Sequence, residues 1–455
     1  MENKILRFVE FKDIESWSTY AILGSKFDYS NQFELAKIRH FLKRNKTQVS
    51  IKDEILYKRP TIKINGQGIF LRDEKQGKDI GTKNQFRIRE GQFLLSKIDA
   101  RNGAFGVVPK ELDNGIITGN FWTFDVDYEK INPYFLTLVT KTKKFQNLSQ
   151  SASVGTTNRN YLQEEEFLNF QIPLPNLDEQ EAIVSAYQSK IEEAQRLENE
   201  AQELENEIEN YLFEELGIEQ MQEKKGKVKG LQLVEFQDLQ FWGVDKIITN
   251  NRYTTKRYKS YSIGNVPNLI IENFRGKSPK YKLDSEKYIL NQKCNRWNSL
   301  DLSFVKSVEE NWYNTIEKKI FTKEGDILIN STGEGTIGRS TYIDSEHTGL
   351  IYDSHLLLLR LNQEILNPKL FVEVFNSSYG QYQIELIKSA QATKQTELGV
   401  NNLQRIIIPI VDDMNKQNEI ATTIATMKQT QKQKTETATS LRAEALAEFE
   451  QVIFN

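Results

Sequence analysis

The 455-residue chain is 38% hydrophobic and 27% charged, which is enough apolar material for two or three packed cores and too much for a disordered polymer. One cysteine, Cys294, excludes a disulfide framework, three histidines (His40, His347, His355) argue against a histidine-rich metal site, and no run of about 18 apolar residues or signal-peptide core is present, so a soluble cytoplasmic protein is expected. The net charge of −3 hides a segregation: 27 basic against 21 acidic side chains over 1–177, 2 against 14 over 178–219, 26 against 21 over 220–411, and 5 against 7 over 412–455.

In chain order, the sequence repeats itself. Val9-Glu10-Phe11-Lys12-Asp13-Ile14 with Trp17 returns as Val234-Glu235-Phe236-Gln237-Asp238-Leu239 with Trp242. Gly91-Gln92-Phe93-Leu94-Leu95-Ser96 returns as Gly325-Asp326-Ile327-Leu328-Ile329-Asn330, and each copy then reaches a glycine-bounded turn, Gly103–Gly106 and Gly335–Gly338. Ile131-Asn132-Pro133 answers Leu366-Asn367-Pro368, and Ile172-Pro173-Leu174 answers Ile408-Pro409-Ile410. The offset drifts only from 225 to about 236, as a tandem duplication of a globular domain plus a helix requires. Alternating runs at 92–98, 121–126, 326–330 and 356–361 predict strands, so each globular part is mixed α and β.

After Pro173 the pattern changes. Asp178 is a candidate N-cap, with Glu179 and Glu181 near the positive end of the helix dipole. Tyr187, Ala194, Leu197, Ala201, Leu204, Ile208 and Tyr211 form a heptad-like seam, and Gly217 ends the helix. The second copy offers Ile420, Ile424, Met427, Ala438, Leu441, Ala445 and Val452, interrupted by Gln431 and Lys434, polar gaps expected to face another protein. Helices of about 40 residues span about 60 Å and cannot bury such stripes against one small domain. The expected fold is therefore α+β: two duplicated mixed α/β domains separated by two long antiparallel coiled-coil helices.

Most candidate chemistry dissolves on inspection. Gly333-x-Gly335-x-x-Gly338 matches a dinucleotide fingerprint, but strand and turn follow it where a helix is needed, so it reads as a tight hairpin. Asn132-Pro133-Tyr134-Phe135 lacks the second proline of an adenine-methyltransferase motif, and a proline in the first helical turn explains it better. No phosphate-binding loop or defensible nucleophile pairing is found, which leaves recognition. The candidate DNA contacts are Lys97, Arg101 and Asn102 on the first glycine turn, and Thr156, Thr157, Asn158 and Arg159 beside Gly155. In the second copy they are Arg275, Lys277, Lys280, Arg339, Lys394 and Gln395. Arginine suits guanine, and asparagine or glutamine suits adenine, through paired hydrogen bonds; each of these side chains taken alone is equally a solvated surface group.

The junctions IPLPNLDEQEAIV from Ile172 and IPIVDDMNKQNEIA from Ile408, with SASVGTTNRNYL from Ser151 and SAQATKQTEL from Ser389 upstream, make the chain resemble the specificity subunit of Type I restriction-modification enzymes over essentially its full length. The resemblance implies target-recognition domains at 1–176 and 223–411, each reading one half of a split double-stranded DNA target. It implies spacer helices at 177–222 and 412–455 that dock two methyltransferase subunits, joined by two motor-nuclease subunits. It makes this chain non-catalytic and places S-adenosylmethionine, ATP and Mg2+ on the partner subunits. The second junction departs from the pattern, with Val411-Asp412-Asp413 lacking the second proline and Asn418 standing where Glu181 is acidic. Two other readings compete: the recognition subunit of a different modification system, which neighbouring genes would reveal, and a coiled-coil scaffold without a DNA role, which would select no sequence from a DNA pool.

Overall fold

In the computed structural model, residues 29, 32–154, 160–221, 253–390 and 396–454 are described; the opening repeats at 9–17 and 234–242 lie outside them. The chain forms two compact units, one of residues up to Glu198 together with those from Glu436, the other Asn199–Thr435. The division falls inside both long helices, so each unit owns part of each.

The first unit contains β1 (Leu42–Asn45), the ribbon β2 (Leu56–Lys63) and β3 (Gly68–Gln76), then β4 (Phe93–Ser96), β5 (Phe105–Val107) and β6 (Phe121–Val126). Its main sheet runs β1-β6-β4-β5, with every neighbouring pair antiparallel. All of β4 is buried, because successive side chains enter cores on opposite faces of the sheet. Phe93 and Leu95 pack with α1 (Pro133–Lys141) and α2 (Lys143–Ser151), while Leu94 packs with Ile69 of β3, Ile88 and Leu112. The first long helix, α3 (Leu177–Leu216), follows.

The second unit repeats the plan with β7 (Ile270–Arg275), β8 (Asp326–Asn330), β9 (Ser340–Tyr342) and β10 (Leu356–Leu361), then α4 (Pro368–Asn376) and α5 (Ser378–Ile387) before the last helix, α6 (Met414–Phe454). The sheet order β7-β10-β8-β9 is that of the first copy, again antiparallel throughout. Ile327 and Ile329 face the core holding α4 and α5, and Leu328 faces the core of Leu290, Cys294 and Tyr352. The expected α+β duplication is thus borne out. Both helix starts carry the proline device read from sequence: Asn132 caps α1 through Tyr134 N–H, Asn367 caps α4 through Lys369 N–H and Leu370 N–H, and Pro133 and Pro368 fill the first turn.

At equivalent strand positions the copies use different polar pairs. In the first, Thr123 Oγ1 donates to Gln92 Oε1 at 2.9 Å, and Gln92 Nε2 donates to Asp125 Oδ1 at 2.6 Å. In the second, Asp326 stands for Gln92 and Arg360 for Asp125, and the two form an ion pair.

Three expectations about the long helices need correction. Asp178 lies inside the first turn of α3, and the cap is Asn176: its Oδ1 accepts Glu179 N–H at 2.9 Å, while Glu179 Oε2 accepts Asn176 N–H at 3.0 Å. This reciprocal box satisfies two donors at once, which Asp178 could not. Asn176→Ala should lower the stability of the helix start by about 0.5–2 kcal/mol, seen as faster amide exchange over 177–182; unchanged exchange would refute the cap. Val452 is 37% exposed, and Phe449 and Ile453 carry the seam instead, Phe449 meeting Phe135 edge-on at 6.2 Å. Finally, the polar gaps face α3 and no outside protein is needed to fill them: Gln431 Nε2 donates to Ala201 O at 3.1 Å, and Lys434 pairs with Glu200 at 2.6 Å.

Within each unit the helix segments run antiparallel. In the first, Lys190 meets Glu444 and Glu448, and Arg442 meets Glu198 at 2.8 Å, holding that carboxyl below its usual range. In the second, Lys434 meets Glu200 and Lys416 meets Glu215. Gly217, at φ +66°, ends α3 as expected. Asp413 starts α6, its Oδ1 accepting Asn415 N–H at 2.8 Å, despite the altered junction.

The sequence reading missed a duplicated latch. Gln180 and Gln417 are fully buried. Gln180 Oε1 accepts Asn132 N–H at 2.7 Å, and its Nε2 donates to Lys130 O and Pro175 O. Gln417 does the same with Asn367 N–H, Ile365 O and Val411 O. Each glutamine ties the root of a long helix to the proline helix of its own domain.

Candidate nucleic-acid interface

In the first unit the glycine turn leaves β4 at Lys97. Lys97 O accepts Leu162 N–H at 2.9 Å, and its ammonium lies 5.4 Å from the Tyr161 ring centroid. Ser153 pairs with Leu162 and Val154 with Tyr161, so this strand pair, which flanks the segment 155–159 in the sequence, lies beside Lys97. Thr156, Thr157, Asn158 and Arg159 lie on that segment, outside the described residues. Arg101 and exposed Asn102 follow in a single 3-10 turn closed by Gly103 at φ +77°. The turn is braced from below, since Asn65 N–H donates to Asn102 O at 2.7 Å and Gly66 N–H to Gly103 O at 2.9 Å. A side chain on Gly103 would collide with Gln146 and the Asn65–Gly66 backbone.

The second unit builds the same root. Leu398 N–H donates to Ser331 O at 2.8 Å, Ser389 pairs with Glu397, and Ala390 pairs with Thr396. Lys394 and Gln395 lie between those strands, outside the described residues. Gly333, Gly335 and Gly338 all have positive φ and join antiparallel β8 to β9, which is the hairpin reading rather than a cofactor loop. Arg339 leaves this turn with Nη2 donating to Gly335 O at 3.3 Å and its guanidinium 5.8 Å from the Trp297 ring centroid.

Arg275 reaches the root of the 391–395 segment, but its guanidinium is engaged inside the fold, by Ser354 O at 2.7 Å and by the Glu397 carboxylate. It organises the root in this state rather than offering an open fork. Lys277 is exposed, with its N–H on Tyr352 O, close in the chain to Arg275. Lys280 is exposed further on, its carbonyl accepting Glu309 N–H. The structure therefore gathers Lys97 with the first root, and Arg275 with the second. The sequence reading missed Arg296, Trp297 and Phe304, an exposed basic-aromatic surface where Arg296 stacks 5.0 Å from the Phe304 centroid. The adjacent Arg-Trp pair was the available signal.

A cavity of about 180 Å³ opens beside the ribbon, lined by Arg59, Arg72, Thr82, Gln85 and Thr118 among others. Its arginines are already matched: Arg59 Nε and Nη2 donate to both oxygens of Asp73 at 2.6 and 2.7 Å, holding that carboxyl below its usual range, and Arg72 lies 3.3 Å from it. This makes it a poor anion site. Among the described residues no helix is long and apolar enough to cross a membrane, and no group of three or more His, Cys, Asp or Glu is placed to hold a metal ion.

Residues 27–210 match the family model described as Type I restriction modification DNA specificity domain. Among solved structures, a chain from "Structural basis underlying complex assembly and conformational transition of the type I R-M system" is 14% identical, with 94% of this chain and 99% of that one covered and a TM-score of 0.57. The HsdS subunit from Thermoanaerobacter tengcongensis is 16% identical over 93% and 97%, with a TM-score of 0.48. The Type-I restriction-modification S subunit from M. genitalium is 14% identical over 93% and 97%, with a TM-score of 0.46. No curated protein matches the sequence. The resemblance read from the junction motifs is borne out by the family model over the first copy, and the likeness at 0.57 extends the fold to the rest of the chain.

Proposed function

We propose that this chain, whose residues 27–210 carry a Type I restriction modification DNA specificity domain, is the DNA-recognition subunit of a Type I restriction-modification complex. Each unit reads one half of a bipartite duplex target, and the helices α3 and α6 dock methyltransferase subunits, with motor-nuclease subunits completing the restriction form. Cleavage and methylation, and with them S-adenosylmethionine, ATP and Mg2+, belong to those partners. The observation that carries this reading is the repeated root: in both units a short strand pair is tied to the residue that leaves the strand before a glycine turn, on one sheet order, with Lys97 at the first root and Arg275 reaching the second from β7. Two copies of one recognition device on one chain suit a split target.

The test is selection from a randomised duplex pool by the full chain co-expressed with its genomic methyltransferase neighbour. Two defined half-sites with a fixed gap are expected, and a pool that stays random would refute the proposal. Arg101→Ala with Asn102→Ala should relax one half-site only, by about 1–3 kcal/mol per lost paired contact. Equal damage to both half-sites in the same selection would break the assignment of one unit to each.

A further inference from the structure

The ribbon β2–β3 has no counterpart in the second unit among the described residues, where short pairs such as Tyr288–Ile289 with Lys306–Ser307 occupy the corresponding stretch. One face of the ribbon is buried through Tyr57 and Ile69. The rest exposes large apolar side chains, Leu56 at 51%, Ile64 at 46%, Phe70 and Leu71 at 41%. Basic groups lie among them: residues 56–76 hold five Lys or Arg and two Asp or Glu. Lys63 sits 4.7 Å from the Phe70 ring centroid. The ladder pairs Arg59 with Asp73 and then Pro60 with Leu71, so Arg72 is bulged out of register. A bulge of this kind re-aims a side chain and twists the ribbon.

The ribbon is also held rigid. Asn65 and Gly66 have φ of +58° and +63°, the geometry of a tight type I′ hairpin. Their N–H groups are bonded to Asn102 O and Gly103 O, the glycine turn of the candidate interface. Preorganised and solvent-facing, an apolar-basic ribbon lowers the ordering cost of binding. Its nine-residue strand spans about 30 Å, close to one turn of duplex, and a two-stranded ribbon fits the major groove.

We infer that β2–β3 enters the DNA major groove at the half-site bound by the first unit, with Lys63 meeting guanine edges or phosphates and Ile64 and Phe70 meeting thymine methyl groups. The ribbon then adds to the root shared by both units a reader that the second unit lacks among the described residues. This rests on the DNA-recognition reading above, and the two can fail separately.

The experiment uses the full chain in complex with its methyltransferase neighbour and a randomised duplex pool. If the unaltered complex selects no sequence, the DNA reading falls and the ribbon with it. If it selects two half-sites, Lys63→Ala with Phe70→Ala should reduce preference at one half-site about five- to 150-fold and leave the other within twofold. Both half-sites kept at full strength would overturn the ribbon assignment alone. A photoreactive benzoylphenylalanine at position 70 provides a readout independent of folding losses. Crosslinking to a base of the affected half-site supports the proposal, and crosslinking to the methyltransferase instead assigns this face to protein docking and overturns it.

Discussion

Arg360→Met should destabilise the second unit by about 3–5 kcal/mol, because it strips the cation from a buried three-strand cluster. Arg360 on β10 sits opposite Asp326 on β8 and Glu272 on β7. Its Nε and Nη2 donate to the two Asp326 oxygens at 2.6 and 2.8 Å, and Nη1 reaches Glu272. The Asp326 side chain is 1% exposed, so removing the guanidinium leaves its carboxyl in an apolar strand with only Lys323 N–H at 2.7 Å. The cluster also pins the register of three strands, since a one-residue slip would move every apolar side chain to the wrong face.

The pH dependence follows from the same geometry. Burial pushes Asp326 up to about 7, and in the variant no guanidinium opposes that push. A carboxyl whose folded pKa lies above its unfolded value binds more protons when folded, so stability falls as pH rises from about 4 through the folded pKa. The Arg360→Met deficit in urea unfolding should therefore be smaller at pH 5 than at pH 8. Adding Asp326→Leu should recover part of it, because replacing a buried pair by apolar groups is far cheaper than breaking it. A deficit below 1 kcal/mol, or one larger at pH 5, would count against this account.

The parts of the fold legible in the sequence were those with a local signature. The runs at 92–98 and 326–330 became β4 and β8 because a strand buried on both faces shows directly as a short apolar run behind a turn glycine. The duplicated Asn-Pro helix starts and the closing Gly217 were legible for the same reason, as caps leave short signatures. What escaped was set by contacts distant in sequence. Asn176 displaced Asp178 as cap through a partner three residues on, and both residue types cap well, so only geometry chooses. Gln431 and Lys434 looked like gaps because their partners, Ala201 and Glu200, lie on the other helix. Arg275 looked like an open guanine reader, and only the fold reveals Glu397 beside it. Trp297 and Phe304 escaped because exposure cannot be read from residue type, although Arg296 beside Trp297 was a local signal.

Gln180→Leu should cost the first unit about 3 kcal/mol, and Gln417→Leu a similar amount in the second. The leucine fills nearly the same volume, so packing is largely kept and the loss is polar. Three backbone groups are orphaned in each case: Asn132 N–H with the carbonyls of Lys130 and Pro175, or Asn367 N–H with those of Ile365 and Val411. A buried group left without its partner loses about 1–3 kcal/mol, carbonyls less than N–H groups. Each latch is internal to one unit, so the effects should stay apart: Gln180→Leu raises amide exchange over 130–139 and 177–190, and leaves 365–376 and 414–424 as they were. Gln180→Glu separates the donor role from the acceptor role. A carboxylate still accepts Asn132 N–H but faces two carbonyls it cannot donate to, so the buried acid is expected to be held protonated. Its folded pKa then lies above the unfolded value, and the variant should lose stability as pH rises, in the opposite sense to a salt-bridged carboxylate. Exchange that rises equally in both units, or a Gln180→Glu stability that climbs with pH, would show that these glutamines fill space and do not latch the helices to their domains.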